Sequence, residues 1–387
     1  MDLSKILDSL EIFEKKIRNM DELLLANLVM INELPAPTFD EKFRSEFLIN
    51  RFAEDNLLNC SYDEKHNAFG ILPGKNQDRN ILLTAHIDTI FDSKVDHTIS
   101  VNPGSVKGAS VGDNSLGAAV LATLPKILEA LDIELKSNLV LMGSARSLGR
   151  GDIEGIRFFL DNTDMEINSG LVIEGVKLGR LSYGSIGMVR CEITSEMPEE
   201  YDWTRFGAIG SIVTINEIIN KILEIPLPKR PRTSIVLGSI EGGSSFNTIP
   251  TNASLRFEVR SESGEMVREL RDEIESIAAE ISSHTGSECK LHVFAERKPG
   301  GILFNHPLSR SARAIMNKLD INPRISPSTS ELCAFISHKI PALTIGITNG
   351  ENMNREDETI EIEPIYKGLT QLVGILLALD EGDNDEG

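Results

Sequence analysis

The run Ile81-Leu82-Leu83-Thr84-Ala85-His86-Ile87-Asp88 constrains the fold most. A short apolar segment rich in Ile and Leu reads as a strand buried on both faces of a parallel sheet, and open α/β sheets gather ligands at the carboxyl ends of such strands. Leu139 to Gly143 reads as a second buried strand, and Gly170 to Glu174 as a third that ends on an acid as the first ends on His86 and Asp88. A helix is expected from Ser115 through Leu131, kinked at Pro125. Residues 1 to 57 read as helices around the proline-fixed loop Glu33 to Thr38. Thr38 or Asp40 is placed to cap the helix that carries Phe43, Phe47, Leu48 and Phe52 on its apolar face. After residue 299 the α/β pattern resumes, with a helix after His306, a strand Ala342 to Ile347 and a last helix Glu363 to Leu379.

Near Gly187 the pattern changes. Strands are expected over Met188–Thr194, Ser234–Ile240, Ala253–Arg260 and Cys289–Ala295, with helices over Phe206–Leu223 and Glu265–Ser282. The order βαββαβ closes by itself as a split βαβ sandwich, so residues 187–298 are expected to form an inserted ferredoxin-like α+β domain. Residues 1–186 and 299–387 then make one discontinuous α/β domain, with Pro299-Gly300-Gly301 as the return linker.

Charge excludes two classes of partner. With 39 basic and 59 acidic residues the net charge is −20, so nucleic acid and anionic membrane would both meet repulsion. No apolar run approaches the roughly 20 residues that span a bilayer, and the start lacks a secretory pattern, so a cytoplasmic protein is expected. Cys60, Cys191, Cys289 and Cys333 are widely spaced and read as reduced, buried small hydrophobes.

His86 can give one ring nitrogen to a metal while Asp88 holds the other and fixes the tautomer, and Asp113 adds a hard oxygen ligand. A satisfied buried His–Asp pair without metal is the alternative. With its flanks the site becomes specific. Ala85-His86-Ile87-Asp88-Thr89-Ile90-Phe91 followed by Val111-Gly112-Asp113-Asn114-Ser115-Leu116-Gly117 resembles the zinc-dependent exopeptidases that include peptidase T, carboxypeptidase G, aminoacylase and acetylornithine deacetylase. The resemblance runs nearly end to end. It implies a phosphorylase/hydrolase-like three-layer αβα zinc-peptidase domain with an inserted lid and dimerisation domain. In that family two zinc ions are bridged by an Asp and a Glu is general base on the bridging water.

Carried over residue by residue, the resemblance makes His86, Asp113 and Glu174 metal ligands, with Asp113 bridging and Asp88 orienting His86. The family's Glu-Glu pair, base then ligand, falls on Ser147 and Leu148. Ser147 has no pKa near neutrality with which to take a proton from water, and Leu148 has no donor atom. A one-residue slip substitutes Arg146 and Ser147 and repairs nothing. The family's C-terminal His ligand falls on Asn354, and the His that polarises the scissile carbonyl across the dimer falls on Tyr201. Asn247 and Arg260 match the family's substrate-contacting Asn and Arg.

At most one zinc ion per chain is therefore expected, held by His86, Asp113 and Glu174. Without a cation the carboxylates need a proton or a basic partner such as Arg146. Three readings follow: a hydrolytically impaired relative that binds a peptide- or amino-acid-like ligand or a partner, a metallopeptidase or N-acyl-amino-acid amidohydrolase working with that single metal, and a structural role. Asp152, Glu154 and Glu351 are conceivable replacement bases, though spacing selects none of them. A homodimer is expected through the inserted domain, and the Asp357-Glu358 run reads as a solvated loop.

Overall fold

The computed structural model describes residues 2–76, 78–197 and 209–382, in two compact units: Met1–Gly184 with Gly301–Gly387, and Ser185–Gly300. Tyr201 lies outside the described residues.

The larger unit is built on an eight-stranded sheet. Its centre is four parallel strands in the order Asn138–Ser144, Asn80–His86, Ile167–Val176 and Ala342–Thr348. Antiparallel Leu58–Tyr62 and Ala68–Leu72 extend one side, and the short strands Arg180–Ser182 and Arg324–Ile325 extend the other. Every residue of Asn80–His86 is buried, as a strand covered on both faces requires.

Strand periodicity sorts these side chains between two layers. Ile81, Leu83 and Ala85 join one core with Leu171, Ile173 and the N-terminal, Leu116–Ala130, Pro307–Lys318 and Glu363–Asp380 helices. Leu82 and Val172 point to the opposite core, closed by the helices Glu154–Asn162 and Leu332–Ser337. By the same alternation His86 and Glu174 belong to that second face. The α/β architecture of mostly parallel strands between helices agrees with the sequence reading.

Several local expectations are corrected. The helix Lys42–Glu54 begins after Glu41 with no side-chain cap; Thr38 is used elsewhere. Phe43 is 57% exposed, and the helix buries Arg44, Ser45, Leu48 and Phe52 instead. The Arg44 guanidinium donates to the carbonyls of Leu34 and Ile87, which explains its burial. The third strand does not stop at Glu174 but runs on to Val176. The helices Glu154–Asn162 and Leu332–Ser337 had no expected counterpart.

The smaller unit is a four-stranded antiparallel sheet in the order Thr233–Gly242, Asn252–Ser261, Gly187–Glu196, Glu288–Arg297. Helices Ser211–Glu224 and Gly264–Thr285 lay Ile215, Ile218, Ile222, Leu270 and Ile274 against Val189, Cys191, Ile193, Leu255 and Phe257. Ser263 caps the second helix by accepting from the Met266 N–H, and Gly286 ends it in the left-handed conformation.

Candidate metal centre

Three ligand atoms converge in the larger unit. One atom each from His86, Asp113 and Glu174 lies within 4.8 Å of the others, the only such His/Cys/Asp/Glu group of three among the described residues. His86 and Glu174 come from neighbouring parallel strands. Asp113 comes from the irregular turn Val111–Ser115 that precedes the helix Leu116–Ala130.

Side-chain hydrogen bonds from Asn114 to the backbone tie that turn to the strand. Asn114 is fully buried; its amide donates to the Ile173 carbonyl at 2.9 Å, and its oxygen accepts from the N–H groups of Gly175 at 2.8 Å and Gly117 at 3.2 Å. The residue after one candidate ligand thus grips the backbone on both sides of another. Gly175 is required here, because a Cβ would meet the Gly112 carbonyl oxygen at 2.2 Å. Glu358 holds the turn from below, accepting from Gly112 and Asp113 N–H at 3.0 and 3.3 Å and from Asn354 N–H at 2.8 Å. Glu358 is 1% exposed, so the solvated-loop reading of Asp357-Glu358 is wrong for it: tertiary contacts to backbone N–H groups satisfy the carboxylate.

The His86 ring lies between two carboxylates. Its Nε2 is 2.9 Å from Asp113 Oδ1, and its Nδ1 is 3.3 Å from Asp88 Oδ1 and 3.2 Å from the Asp88 carbonyl oxygen. Asp88 is held in turn by the Thr38 hydroxyl and the Leu148 N–H, both donating to Oδ2 at 2.8 Å.

Electrostatics follow from this packing. Burial opposes charge on His86, but the bonds to Asp113 and Asp88 outweigh it and raise the imidazole well above its ordinary value. Burial pushes Asp113 up and the His86 bond more than offsets this, leaving it lowered. Burial raises Glu174 to about 7 against the pull of Arg180, and raises Glu358 to about 7 against its backbone donors. The basic partner of Glu174 is Arg180, 3.4 Å away; the expected Arg146 pairs with Glu154 at 3.1 Å.

These donors fit one divalent ion. An imidazole nitrogen and two carboxylates, with a third carboxylate, that of Asp88, behind the ring, are a three-ligand set with room for a further ligand. The two positions expected to serve a second ion supply no ligand side chain. Leu148 contributes only its N–H, already bound to Asp88, and Asn354 is exposed with its N–H on Glu358.

Ser147 is buried and its hydroxyl donates to Glu331, a carboxylate that sequence reasoning missed. Glu331 is 0% exposed, starts the helix Leu332–Ser337, and its Oε2 has no hydrogen-bond partner among the described residues. It is close enough to perturb both His86 and Glu174. By contrast, Asp152 pairs with Arg157, Glu154 with Lys65 and Arg146, and Glu351 is exposed. In the smaller unit Arg260 donates to Glu258, and exposed Asn247 accepts from the Ser245 hydroxyl at 3.2 Å.

Comparison with known proteins agrees with the resemblance drawn from sequence. Residues 193–285 match the peptidase dimerisation domain of the M20 peptidases. The chain is 24% identical over 368 residues to a [LysW]-lysine/[LysW]-ornithine hydrolase of Saccharolobus islandicus, covering 90% of this chain and 91% of that protein. It is 27% identical over 224 residues to a probable carboxypeptidase of Ajellomyces capsulatus, covering 53% of this chain but only 50% of that protein. Among solved structures, the M20 family metallo-carboxypeptidase Sso-CP2 of Sulfolobus solfataricus superposes with a TM-score of 0.75 at 13% identity, covering 92% of this chain and 99% of that one. The YXEP protein of Bacillus subtilis, described as a dinuclear metal binding peptidase from the M20 family, gives 0.65 at 15% identity, covering 93% and 99%. The chain has the fold of the M20 metallopeptidases and carries their dimerisation domain as an insertion.

Proposed function

We propose that this M20-type chain binds an amino-acid- or peptide-like ligand beside one divalent ion, zinc by the chemistry of its donors, held by His86, Asp113 and Glu174, and that its hydrolytic step is impaired. The observation that carries the reading is Ser147 and Leu148 at the positions of the family's base and second-site ligand, with Asn354 in place of the His. Loss of a general base costs about 10²- to 10⁴-fold in rate, roughly 3 to 5 kcal/mol. When bound, the ion would polarise a ligand carbonyl or carboxylate. Asp88 would hold the His86 Nδ1–H, and Asn247 and Arg260 would contact the ligand from the inserted domain. That domain, residues 187–298 by pattern, would act as lid and dimer interface of a cytoplasmic homodimer.

One observation favours the second reading, a single-metal amidohydrolase. Glu331 places a buried carboxylate with a free oxygen behind Ser147, where a proton can pass through the hydroxyl. The test is a dipeptide and N-acyl-amino-acid turnover screen with added zinc, manganese or cobalt, beside calorimetric binding of the same compounds. Binding with no turnover above the Glu331→Gln level supports the first reading. Turnover that falls about 10²- to 10⁴-fold in Glu331→Gln establishes the second.

A further inference from the structure

Past Glu174 the strand runs to Val176 and is followed by Lys177, and the short strand Arg180–Ser182 pairs in parallel with Arg324–Ile325, setting Arg180 directly beside Arg324. Val176, Lys177, Arg180, Arg324, Ile325 and Ser326 line a cavity of about 330 Å³. Half of these residues are cationic, in a chain whose net charge is −20. The sole acid paired with any of them is Glu174, which faces Arg180; Lys177 and Arg324 make no ion pair among the described residues. Like charges opposite one another on paired strands are destabilising, so Arg324, which has no acidic partner among the described residues, set beside Arg180, whose single acid is the Glu174 at its far side, favours an anion between them. A concave surface lined by one sign of charge also concentrates the field. The volume lies at the small end of the ~300–1,000 Å³ typical of ligand pockets, enough for one end of an amino-acid derivative. The planar guanidinium fork suits a carboxylate.

We propose that this cavity is a carboxylate subsite that holds an acidic side chain or second carboxylate of the ligand, so that the protein selects acidic over neutral amino-acid derivatives. The inference rests on the ligand-binding reading above and adds the ligand's charge. Arg180 joins the two sites, its guanidinium lying between the Glu174 carboxylate and the cavity it lines. Lys177 and Arg324 are exposed and neither is one of the proposed metal ligands, so truncating their side chains should leave the fold and those ligands in place.

The test is calorimetry of the full-length chain with N-acetyl-L-glutamate, N-acetyl-L-glutamine and inorganic phosphate, with metal content measured on the same samples. N-acetylglutamate should bind at least about tenfold more tightly than N-acetylglutamine, the scale of a charge-assisted hydrogen bond. Arg324→Ala and Lys177→Ala should each erode that preference and together abolish it, leaving N-acetylglutamine affinity and metal content unchanged. Equal binding of acid and amide overturns the subsite alone. A preference that survives in the double variant also overturns it, as does phosphate binding more tightly than N-acetylglutamate. Binding of neither derivative overturns it together with the ligand-binding reading.

Discussion

Replacing Asn114 by alanine should loosen the metal centre without touching a ligand. The side chain makes three hydrogen bonds in a fully buried position, to the Ile173 carbonyl and to the N–H groups of Gly175 and Gly117. Each such bond contributes about 1 kcal/mol net, and a buried backbone group left without a partner costs about 1 to 3 kcal/mol. With partners lost on both sides of Glu174, the loss should be about 3 to 4 kcal/mol in urea unfolding of the metal-stripped protein. Because the same side chain fixes Asp113 against Glu174, metal affinity should also fall by about 10- to 100-fold, as for lost orienting contacts around other metal sites. Asn114→Asp keeps the acceptor but loses the donor to Ile173 and buries a charge, and should be no better. Asn247→Ala, at an exposed position, should stay within about 0.5 kcal/mol. A loss below about 1 kcal/mol for Asn114→Ala, or unchanged metal affinity, would refute the view that this amide holds the two ligands together.

Two further outcomes follow from charge and from the sheet edge. Glu174 and Glu358 are raised to about 7, so between about pH 4.5 and 7 the folded metal-free protein holds protons that the unfolded chain has released, and stability falls as pH rises through that window by up to about 3 to 4 kcal/mol per carboxyl. His86, also raised, acts in the same direction, its contribution being lost as pH rises through its folded value. A urea midpoint for chelator-treated protein that is higher at pH 8 than at pH 5.5 would contradict this. The edge strand Thr233–Gly242 exposes Val236 at 44% and Ile240 at 53%, so light scattering should report a homodimer that Ile240→Lys converts to monomer; a native monomer at micromolar concentration would defeat it.

How much of this was legible depended on whether the signal was local. Strand periodicity singled out His86 and Glu174 at strand ends, Asp113 stood out just before a helix, and the family resemblance joined the three as ligands; the βαββαβ order pointed to the inserted sheet, because buried runs and their helices carry their own pattern. Glu331 was not legible. It opens a short helix, Leu332–Ser337, behind an irregular loop, and its partner Ser147 is 184 residues away, so no spacing links them. Glu358 was misread for a similar reason: the backbone N–H groups that permit its burial lie mostly on the turn around Asp113, far away in sequence. Phe43 misled through its helical spacing with Phe47, Leu48 and Phe52, since the helix buries Arg44 among carbonyls while the phenylalanine faces solvent. The short paired strands that place Arg180 beside Arg324 are too brief to show any period.

The central claim is a single ion held by His86, Asp113 and Glu174, and elemental analysis of the purified chain after dialysis tests it most directly. The account predicts close to one divalent ion per chain, lost in His86→Ala and rising towards two when Leu148→Glu and Asn354→His are combined. Two tightly held ions in the native sequence would contradict it, as would one ion that survives His86→Ala.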